Sequence, residues 1–374
     1  MNPRCACVAV AGLAVLLPGP VAASSMAQAI ANPRIPPAHS AELQLSTGDT
    51  DASAELNTGT QLTAHGYLQQ AIPHLLVAQQ AGIEPYATGV DLGICYLGTG
   101  NYRQAIVVLR ALDDSGLGSA TVDNLLAQAY IGNAQPQDAL RTVRRAAART
   151  PKDEKFYAYL ADACRDHKDY SLGLQIVDQG LQELPASARL HYERGLFLSQ
   201  LGRFEESGGS EFDRAAQMAP NSYIGFLALV QKDLYEDDLA AADKVLRQAI
   251  QSGHRDYRML SLLGIVLLHQ GAAPGEARFA EAKNALENSA QENPGYSATQ
   301  IALGKIYLME NEPQKAVDHL QIGRRLEPDN PAVYANLASA YDRLGDHAEA
   351  RLMRLQIGRL LAEEKSAGSA QQRP

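Results

Sequence analysis

Residues 297–364 consist of two adjacent blocks of equal length, and their similarity decides the fold. Residues 297–330 read SATQIALGKIYLMENEPQKAVDHLQIGRRLEPDN, and residues 331–364 read PAVYANLASAYDRLGDHAEARLMRLQIGRLLAEE. When these 34-residue blocks are aligned, the same kinds of residue return at block positions 7, 8, 11 and 20. They are Leu303, Gly304, Tyr307 and Ala316 in the first block and Leu337, Ala338, Tyr341 and Ala350 in the second. A fixed period of this length predicts a structural unit that packs on copies of itself.

The apolar residues of each block are spaced as on the buried sides of two helices. Positions 4, 7, 8 and 11 lie on one face of a first helix, and positions 20, 24 and 27 lie on one face of a second helix. Small residues at positions 8 and 20 predict a close approach of the two helices. Gly100 and Gly345 fall in the turn between them, where glycine supplies the positive φ that ends a helix. Pro328, at position 32, separates one block from the next.

The same period extends backwards from residue 297 over most of the chain. Block five has one extra residue near Gly208 and Gly209, and two glycines at the start of a helix predict a bend or fraying there. Block seven has six extra residues around 272–277, which we expect to lengthen a turn without interrupting the stack. The nine predicted blocks are 52–85, 86–119, 120–153, 154–187, 188–222, 223–256, 257–296, 297–330 and 331–364.

This pattern resembles the tetratricopeptide repeat family. The resemblance implies an all-α fold, a right-handed α-solenoid of helix-turn-helix repeats, and a function in binding other proteins. It also implies that the first helices line a concave groove into which positions 2, 5, 9 and 12 point. The groove residues expected on this basis are Val90, Ile94, Leu97, Asn124, Gln128, Lys155, Asp162, Arg165, Arg189, Tyr192, Leu196, Leu227, Gln231, Arg258, Ile265, Leu268, Ile301, Lys305 and Leu308.

The expected groove has apolar ends and a charged centre in blocks four and five. Such a lining suits an extended or helical segment of a protein partner. Alternatively, the apolar positions pack neighbouring repeats against each other. Some members of the family hold a C-terminal carboxylate with a set of Lys, Asn and Arg residues at fixed positions. That set is absent here, so we do not expect this chain to bind a chaperone tail.

The N-terminus has the features of an export signal. An apolar or small-residue run at 5–17 follows Arg4 and precedes Pro18. The run is too short to span a membrane and is followed by small-residue sites, so we expect a cleaved secretory signal peptide at 1–29. We therefore expect a periplasmic or secreted protein, in a bacterial envelope, without stable membrane insertion after cleavage.

Two further segments lie outside the repeats. Residues 30–51 contain three prolines and a Ser/Thr/Asp/Gly-rich run, and residues 365–374 are rich in Ser, Ala and Gln. Neither has a helical period, and we predict a disordered linker and a disordered tail. Only Cys95 and Cys164 remain after cleavage, and they fall two blocks apart. That separation exceeds the roughly 7 Å between Cα atoms that a disulfide spans, so we predict buried free thiols.

Composition and motifs argue against catalysis and against nucleic acid as a partner. The net charge is −9 and the pI is near 5.5, which disfavours attraction to anionic polymers and membranes. The nine histidines are scattered, and no zinc spacing, nucleophile motif or phosphate-binding loop is present. We predict no enzyme activity, no cofactor, no metal site and no catalytic residue. A basic stripe of Arg141, Arg145 and Arg149 recurs every four residues and predicts a solvated outer face or an acidic-partner patch.

These features together predict a non-catalytic adaptor of the cell envelope that binds a partner segment in its groove. The alternative is a structural subunit of a secretion, pilus or polysaccharide-export assembly, which would use the convex face or the edges. The sequence leaves the identity of the partner and the oligomeric state open.

Overall fold

The computed structural model describes residues 51–150 and 152–371, with side chains as far as residue 363. The predicted signal peptide at 1–29 and residues 30–50 of the predicted linker lie outside these residues. The described part contains eighteen α-helices and two π-helical turns, and no strand, which confirms the all-α fold. The helices are α1 Ala52–Ala64, α2 Leu68–Gln80, α3 Pro85–Gly98, α4 Tyr102–Leu112, α5 Ala120–Gly132, α6 Pro136–Arg149, α7 Glu154–Asp166, α8 Tyr170–Glu183, α9 Ala188–Gln200, α10 Gly209–Met218, α11 Tyr223–Tyr235, α12 Leu239–Gln251, α13 Tyr257–His269, α14 Ala277–Glu292, α15 Ser297–Met309, α16 Pro313–Leu326, α17 Pro331–Leu344 and α18 His347–Gln371.

Each block of the sequence contains one pair of these helices. Odd-numbered helices are the first helices of the repeats, even-numbered helices are the second helices, and the short turn between them makes each pair antiparallel. The fifteenth residue of every block has a positive φ, and five of these residues are glycines, such as Gly100 at 74° and Gly345 at 78°. The other four include Ala134 at 55° and Lys168 at 55°. The packing of the pair therefore imposes a left-handed turn even where the residue disfavours it.

The glycine at position 8 makes room for a side chain rather than for the partner's backbone. A Cβ built on Gly304 would lie 2.6 Å from Cδ2 of Leu320, and one on Gly93 would lie 2.7 Å from Cδ2 of Leu109. In both blocks the leucine holds position 24 and is fully buried. Blocks three and four instead have alanine at position 8 and valine at position 24, so a larger residue on one helix accompanies a smaller one on the other.

Both irregular blocks keep their helix pairs. In block five the extra residue is accommodated by a π-helical turn at Phe204–Gly208, directly before α10. In block seven the insertion lies between α13 and α14, and Ala272 within it is only 3% exposed. The insertion therefore contributes to the core instead of forming only a solvated loop.

The expectation of a disordered tail at 365–374 is wrong for most of that segment. Helix α18 continues to Gln371. Its final part contains Ala, Glu, Lys and Gln, which are good helix formers, and no proline interrupts it. Composition rich in small polar residues was thus an insufficient reason to end the helix at residue 364.

The described residues form two compact units. The N-terminal unit ends at Met218, and the C-terminal unit begins at Ala219. The N-terminal unit contains two apolar clusters, one from Leu56 in α1 to Val108 in α4 and one from Ala105 in α4 to Phe197 in α9, and the half-buried Ile94 and Tyr96 pack against both. No helix in the described part of the chain combines the length and the apolar character needed to cross a membrane.

Candidate binding surface

The first helices of the N-terminal unit form one inner face. Helices α3, α5, α7 and α9 contact one another in succession, whereas consecutive second helices are in much weaker contact. An array whose first helices are closer together than its second helices curves toward the first helices. We call the exposed side of α3, α5, α7 and α9 the inner face.

Apolar side chains occupy one end of the inner face. Val90, Ile94 and Leu97 are half-buried and pack against the core cluster, so each presents only part of its surface. At the other end, Leu196 is half-buried, but Tyr192 is only 8% exposed and lies with its ring centroid 6.0 Å from that of Phe212. Tyr192 therefore belongs largely to the core.

Polar side chains occupy the middle of the inner face. On α5, the side-chain amide of Gln128 donates a hydrogen bond to the Asn124 side-chain oxygen, and both residues are half-buried. On α7, Lys155 is exposed and takes part in no ion pair within the described residues. Lys155 is thus a cation on this surface that is available to a ligand.

The charged centre is a closed ion-pair network. Arg165 on α7 pairs with Asp162 one turn earlier and with Glu193 on α9. Arg189 on α9 has its Nε atom 2.7 Å from Glu193 and its Nη2 atom 3.6 Å from Asp162. Glu193 is fully buried and Asp162 is 6% exposed. Two cations and two anions therefore neutralise each other and fix α7 against α9.

Glu193 is the member of this network that sequence reasoning missed. It holds position 6 of its block, outside the positions expected to face the groove. Its spacing of four residues from Arg189 was visible as a candidate helix pair. Nothing in the sequence indicated that Arg165, one repeat earlier, would reach the same carboxylate.

In the C-terminal unit the expected apolar groove residues are buried. Leu227, Ile265, Leu268, Ile301 and Leu308 are each 8% exposed or less. These side chains pack neighbouring helices together, which was the alternative interpretation of the apolar positions. Gln231 is also buried, at 5% exposed.

Two basic positions of the expected groove remain accessible in the C-terminal unit. Lys305 is exposed on α15, and Arg258 is half-buried at the start of α13. Neither takes part in an ion pair within the described residues.

The basic stripe on α6 is largely neutralised. Arg145 pairs with Asp113 and with Asp123, whose side chain is fully buried. Arg149 approaches the same two carboxylates at 3.2 and 3.4 Å. The stripe therefore anchors α6 to α5 and to the π-helical turn Asp113–Leu117, instead of presenting three available cations.

Neither a reactive thiol nor a metal site is present among the described side chains. Cys95 and Cys164 are free and fully buried, as predicted. Burial raises the pKa of the Cys95 thiol to about 11, although a contact with the Thr63 hydroxyl opposes the shift. Nowhere in this part of the chain do three His, Cys, Asp or Glu side chains come together as metal ligands would.

Comparisons with known proteins match part of the repeat array. A family model for the tetratricopeptide repeat matches residues 275–325, and a second one matches residues 124–187 and 301–353. A solved tetratricopeptide repeat protein from Parabacteroides merdae is 16% identical, with a TM-score of 0.50, and the similarity covers 69% of this chain and 99% of that chain. A chain of the APC/C hetero-tetramer Cut9–Hcn1 is 13% identical, with a TM-score of 0.51, covering 83% of this chain and 74% of that chain.

At such identities the solved structures show the fold alone. Among curated proteins, none has a significant match to this sequence. The matched segments cover repeats in both compact units.

Proposed function

We propose that this chain, which is a tetratricopeptide repeat protein and hence an interaction scaffold, is a non-catalytic adaptor that binds an extended segment of a partner protein along the inner face of its N-terminal unit. The observation that carries the proposal is the accessible polar middle of that face, where Lys155 is exposed and Asn124 and Gln128 are half-buried. The paired amides of Asn124 and Gln128 still offer a donor and an acceptor, which matches one peptide group. Lys155 adds a charge for an acidic side chain.

The rigidity of the face supports this role. A scaffold that is already ordered loses little conformational freedom when an extended segment binds. The ion-pair network of Asp162, Arg165, Arg189 and Glu193 joins α7 to α9 before any ligand arrives. We infer that this network positions the surface and that the partner contacts the residues around it.

The proposal includes export to the cell envelope. It rests on the apolar run at 5–17 and the small residues that follow it. Mass spectrometry of the mature protein tests it, because a first residue near position 30 supports cleavage and an intact Met1 contradicts it.

Site-specific photo-crosslinking tests the inner face directly. A photoreactive amino acid replaces Lys155 in one variant of the full chain and Arg144 in a matched control. Arg144 is exposed on the second helix α6 and takes part in no ion pair within the described residues. We expect a partner adduct from position 155 in native extracts and none from position 144.

A charge reversal provides the quantitative arm of the same test. Lys155→Glu and Arg144→Glu change the net charge equally, so only the location differs. Affinity capture measures binding of the partner identified by crosslinking to chains that carry no photoreactive group. We expect Lys155→Glu to reduce recovery of that partner at least tenfold and Arg144→Glu to leave it unchanged. Equal recovery with both variants would show that the partner binds elsewhere.

A structural subunit of an envelope assembly is the second candidate. Its support is a group of exposed leucines on the last helix pair, with Leu344, Leu352 and Leu355 at 43%, 52% and 64% exposed. A terminal repeat whose open side is apolar is suited to contact another subunit. Leu352→Glu with Leu355→Glu should then release the chain from its assembly in sedimentation of envelope extracts, while unchanged sedimentation would refute this role.

A further inference from the structure

Three tyrosines lie at the starts of successive first helices in the C-terminal unit. Tyr223 is the first residue of α11, Tyr257 is the first residue of α13, and Tyr296 immediately precedes α15. The rings of Tyr257 and Tyr296 meet edge to face, with centroids 5.0 Å apart and planes at 77°. Tyr257 and Tyr296 therefore form an aromatic cluster at the N-terminal ends of α13 and α15, and Tyr223 holds the corresponding place on α11.

Arg258 lies within this aromatic cluster. Its Nε–H donates a hydrogen bond of 3.0 Å to the Tyr257 hydroxyl, and its guanidinium carbon is 5.6 Å from the centroid of the same ring. The half-buried guanidinium has lost part of its hydration. Burial opposes its charge, but the neighbouring Tyr257, Tyr223 and Tyr296 raise the pKa of Arg258 above its ordinary value. The group is therefore a permanent cation.

Several arginines of the C-terminal unit pair with carboxylates, whereas Arg258 does not within the described part of the chain. Arg247 is 2.8 Å from Asp243 and 2.6 Å from Glu281, and Arg255 is 2.9 Å from Glu292. No carboxylate in the described residues pairs with Arg258. Asp256, two residues earlier, does not pair with the Arg258 guanidinium. Its carboxylate instead accepts hydrogen bonds from the backbone N–H groups of Arg258 and Met259.

Arg258 is thus a partly desolvated cation that no carboxylate of the described residues neutralises, and an anionic ligand would supply the missing charge. We propose that Arg258, next to the Tyr257–Tyr296 ring pair, is a binding site for the side-chain carboxylate of an acidic residue in a partner protein. The two terminal nitrogens of the guanidinium make no hydrogen bond to the described residues, and they match the two oxygens of a carboxylate. The positive end of the α13 helix dipole adds to the attraction.

This site is independent of the inner face of the N-terminal unit. It uses other helices and requires one acidic group rather than an extended segment. Loss of binding at one surface would therefore not imply loss at the other, and each is tested with its own variants.

The binding test uses a defined probe and the full chain. A fluorescein-labelled peptide of alternating Gly and Asp residues is titrated by fluorescence anisotropy, and a Gly–Asn peptide is the neutral counterpart. Both peptides have an amidated C-terminus, so they differ only in their side-chain carboxylates. We expect the acidic peptide to bind the parent chain and the neutral one not to bind. Arg258→Gln should raise the dissociation constant at least tenfold, whereas Arg255→Gln, which removes the same charge three residues away, should change it less than twofold.

Competition then distinguishes a carboxylate site from a general anion site. Acetate should displace the acidic peptide more effectively than inorganic phosphate at equal ionic strength. Stronger displacement by phosphate would overturn the assignment to a carboxylate. Failure of the parent chain to bind the acidic peptide, or equal effects of Arg258→Gln and Arg255→Gln, would overturn the site itself.

A thermal melt separates a binding role from a structural one. If Arg258 serves a ligand, Arg258→Met removes an unpaired cation and keeps the apolar stem, so Tm should stay the same or rise. If Arg258 mainly supports the fold through Tyr257, Tm should fall by about 3 °C or more, as for other lost buried interactions in a unit of this size. Such a fall would refute the proposal.

Discussion

The contact between positions 8 and 24 of the repeat allows a sharp test of the packing. In block eight, Gly304 faces Leu320, and a Cβ added at Gly304 would lie 2.6 Å from Cδ2 and 3.1 Å from Cδ1 of that leucine. Leu320 is fully buried and has little room to move. We therefore expect Gly304→Ala to destabilise the protein although alanine is the better helix former.

The expected magnitude follows from two opposing terms. Overpacking a filled core costs about 1–3 kcal/mol, and replacing glycine by alanine within a helix recovers about 1 kcal/mol. Gly304→Ala should thus lower the free energy of unfolding by about 1 kcal/mol. Leu320→Val alone removes one methylene beside the glycine and should cost about 1 kcal/mol.

The double variant is expected to be more stable than the sum of the single variants predicts. It reproduces the combination found in block three, where Ala127 faces Val143, and in block four, where Ala161 faces Val177. With the steric conflict removed, the variant should lie within about 0.5 kcal/mol of the parent, so the two sites should couple by about 1–2 kcal/mol.

Urea unfolding followed by far-UV circular dichroism measures this coupling through the shift of the midpoint. Gly358→Ala is the control, because a Cβ at Gly358 on α18 would meet no neighbouring atom. It should leave stability unchanged or raise it. Strictly additive losses from Gly304→Ala and Leu320→Val would refute the argument that these two residues share one space.

Four further measurements test other parts of the structure. Ala134→Gly should raise the urea midpoint by the equivalent of about 0.5–1 kcal/mol, because Ala134 holds a φ of 55° that glycine adopts more readily; a lower midpoint would contradict this. Glu193→Gln should cost about 3 kcal/mol in the same assay, since it leaves two arginines with one carboxylate, and a loss below about 1 kcal/mol would show the network to be dispensable. Burial lowers the pKa of the His319 imidazole in the folded state, so the unfolded state takes up a proton at a higher pH than the folded state does. The free energy of unfolding should therefore fall as the pH drops below about 6.5. His319→Gln should reduce that fall between about pH 7 and 5. Mass spectrometry should find Cys95 unalkylated by iodoacetamide at neutral pH in the native chain and alkylated in urea, and native alkylation would contradict its burial.

The helix pairs were predictable because each block contains its own helix and turn signals. Gly100 and Gly345 indicated the turn, and the periodic apolar residues indicated both helices. The same turn at Ala134 and Lys168 has no local signal, since neither residue favours a positive φ. At these two positions the 34-residue period predicts the turn, and the residue itself does not.

The binding surface was less predictable because exposure depends on how successive repeats stack. Ile265 and Leu308 hold positions that face a groove in the family, yet stacking in this chain buries both. Asp162, Arg165 and Arg189 were expected to face a partner, but Glu193 lies between them and completes a neutral network. A carboxylate from the neighbouring helix decides the role of these arginines, and a single sequence does not reveal that contact.

The distinction between paired and unpaired cations shows which basic side chains of each unit are available to bind an acidic group. Of the basic residues in the expected groove, Arg165 and Arg189 are neutralised within the fold, and Lys155, Arg258 and Lys305 take part in no ion pair among the described residues. The chain as a whole carries a net charge of −9, so long-range attraction favours cationic molecules. At contact, however, these three positions offer positive charge. Screening in physiological salt confines both effects to about 8 Å, so the local charge decides which group binds. We therefore expect ligands whose acidic groups are isolated, because a uniformly acidic partner would be repelled by the rest of the surface.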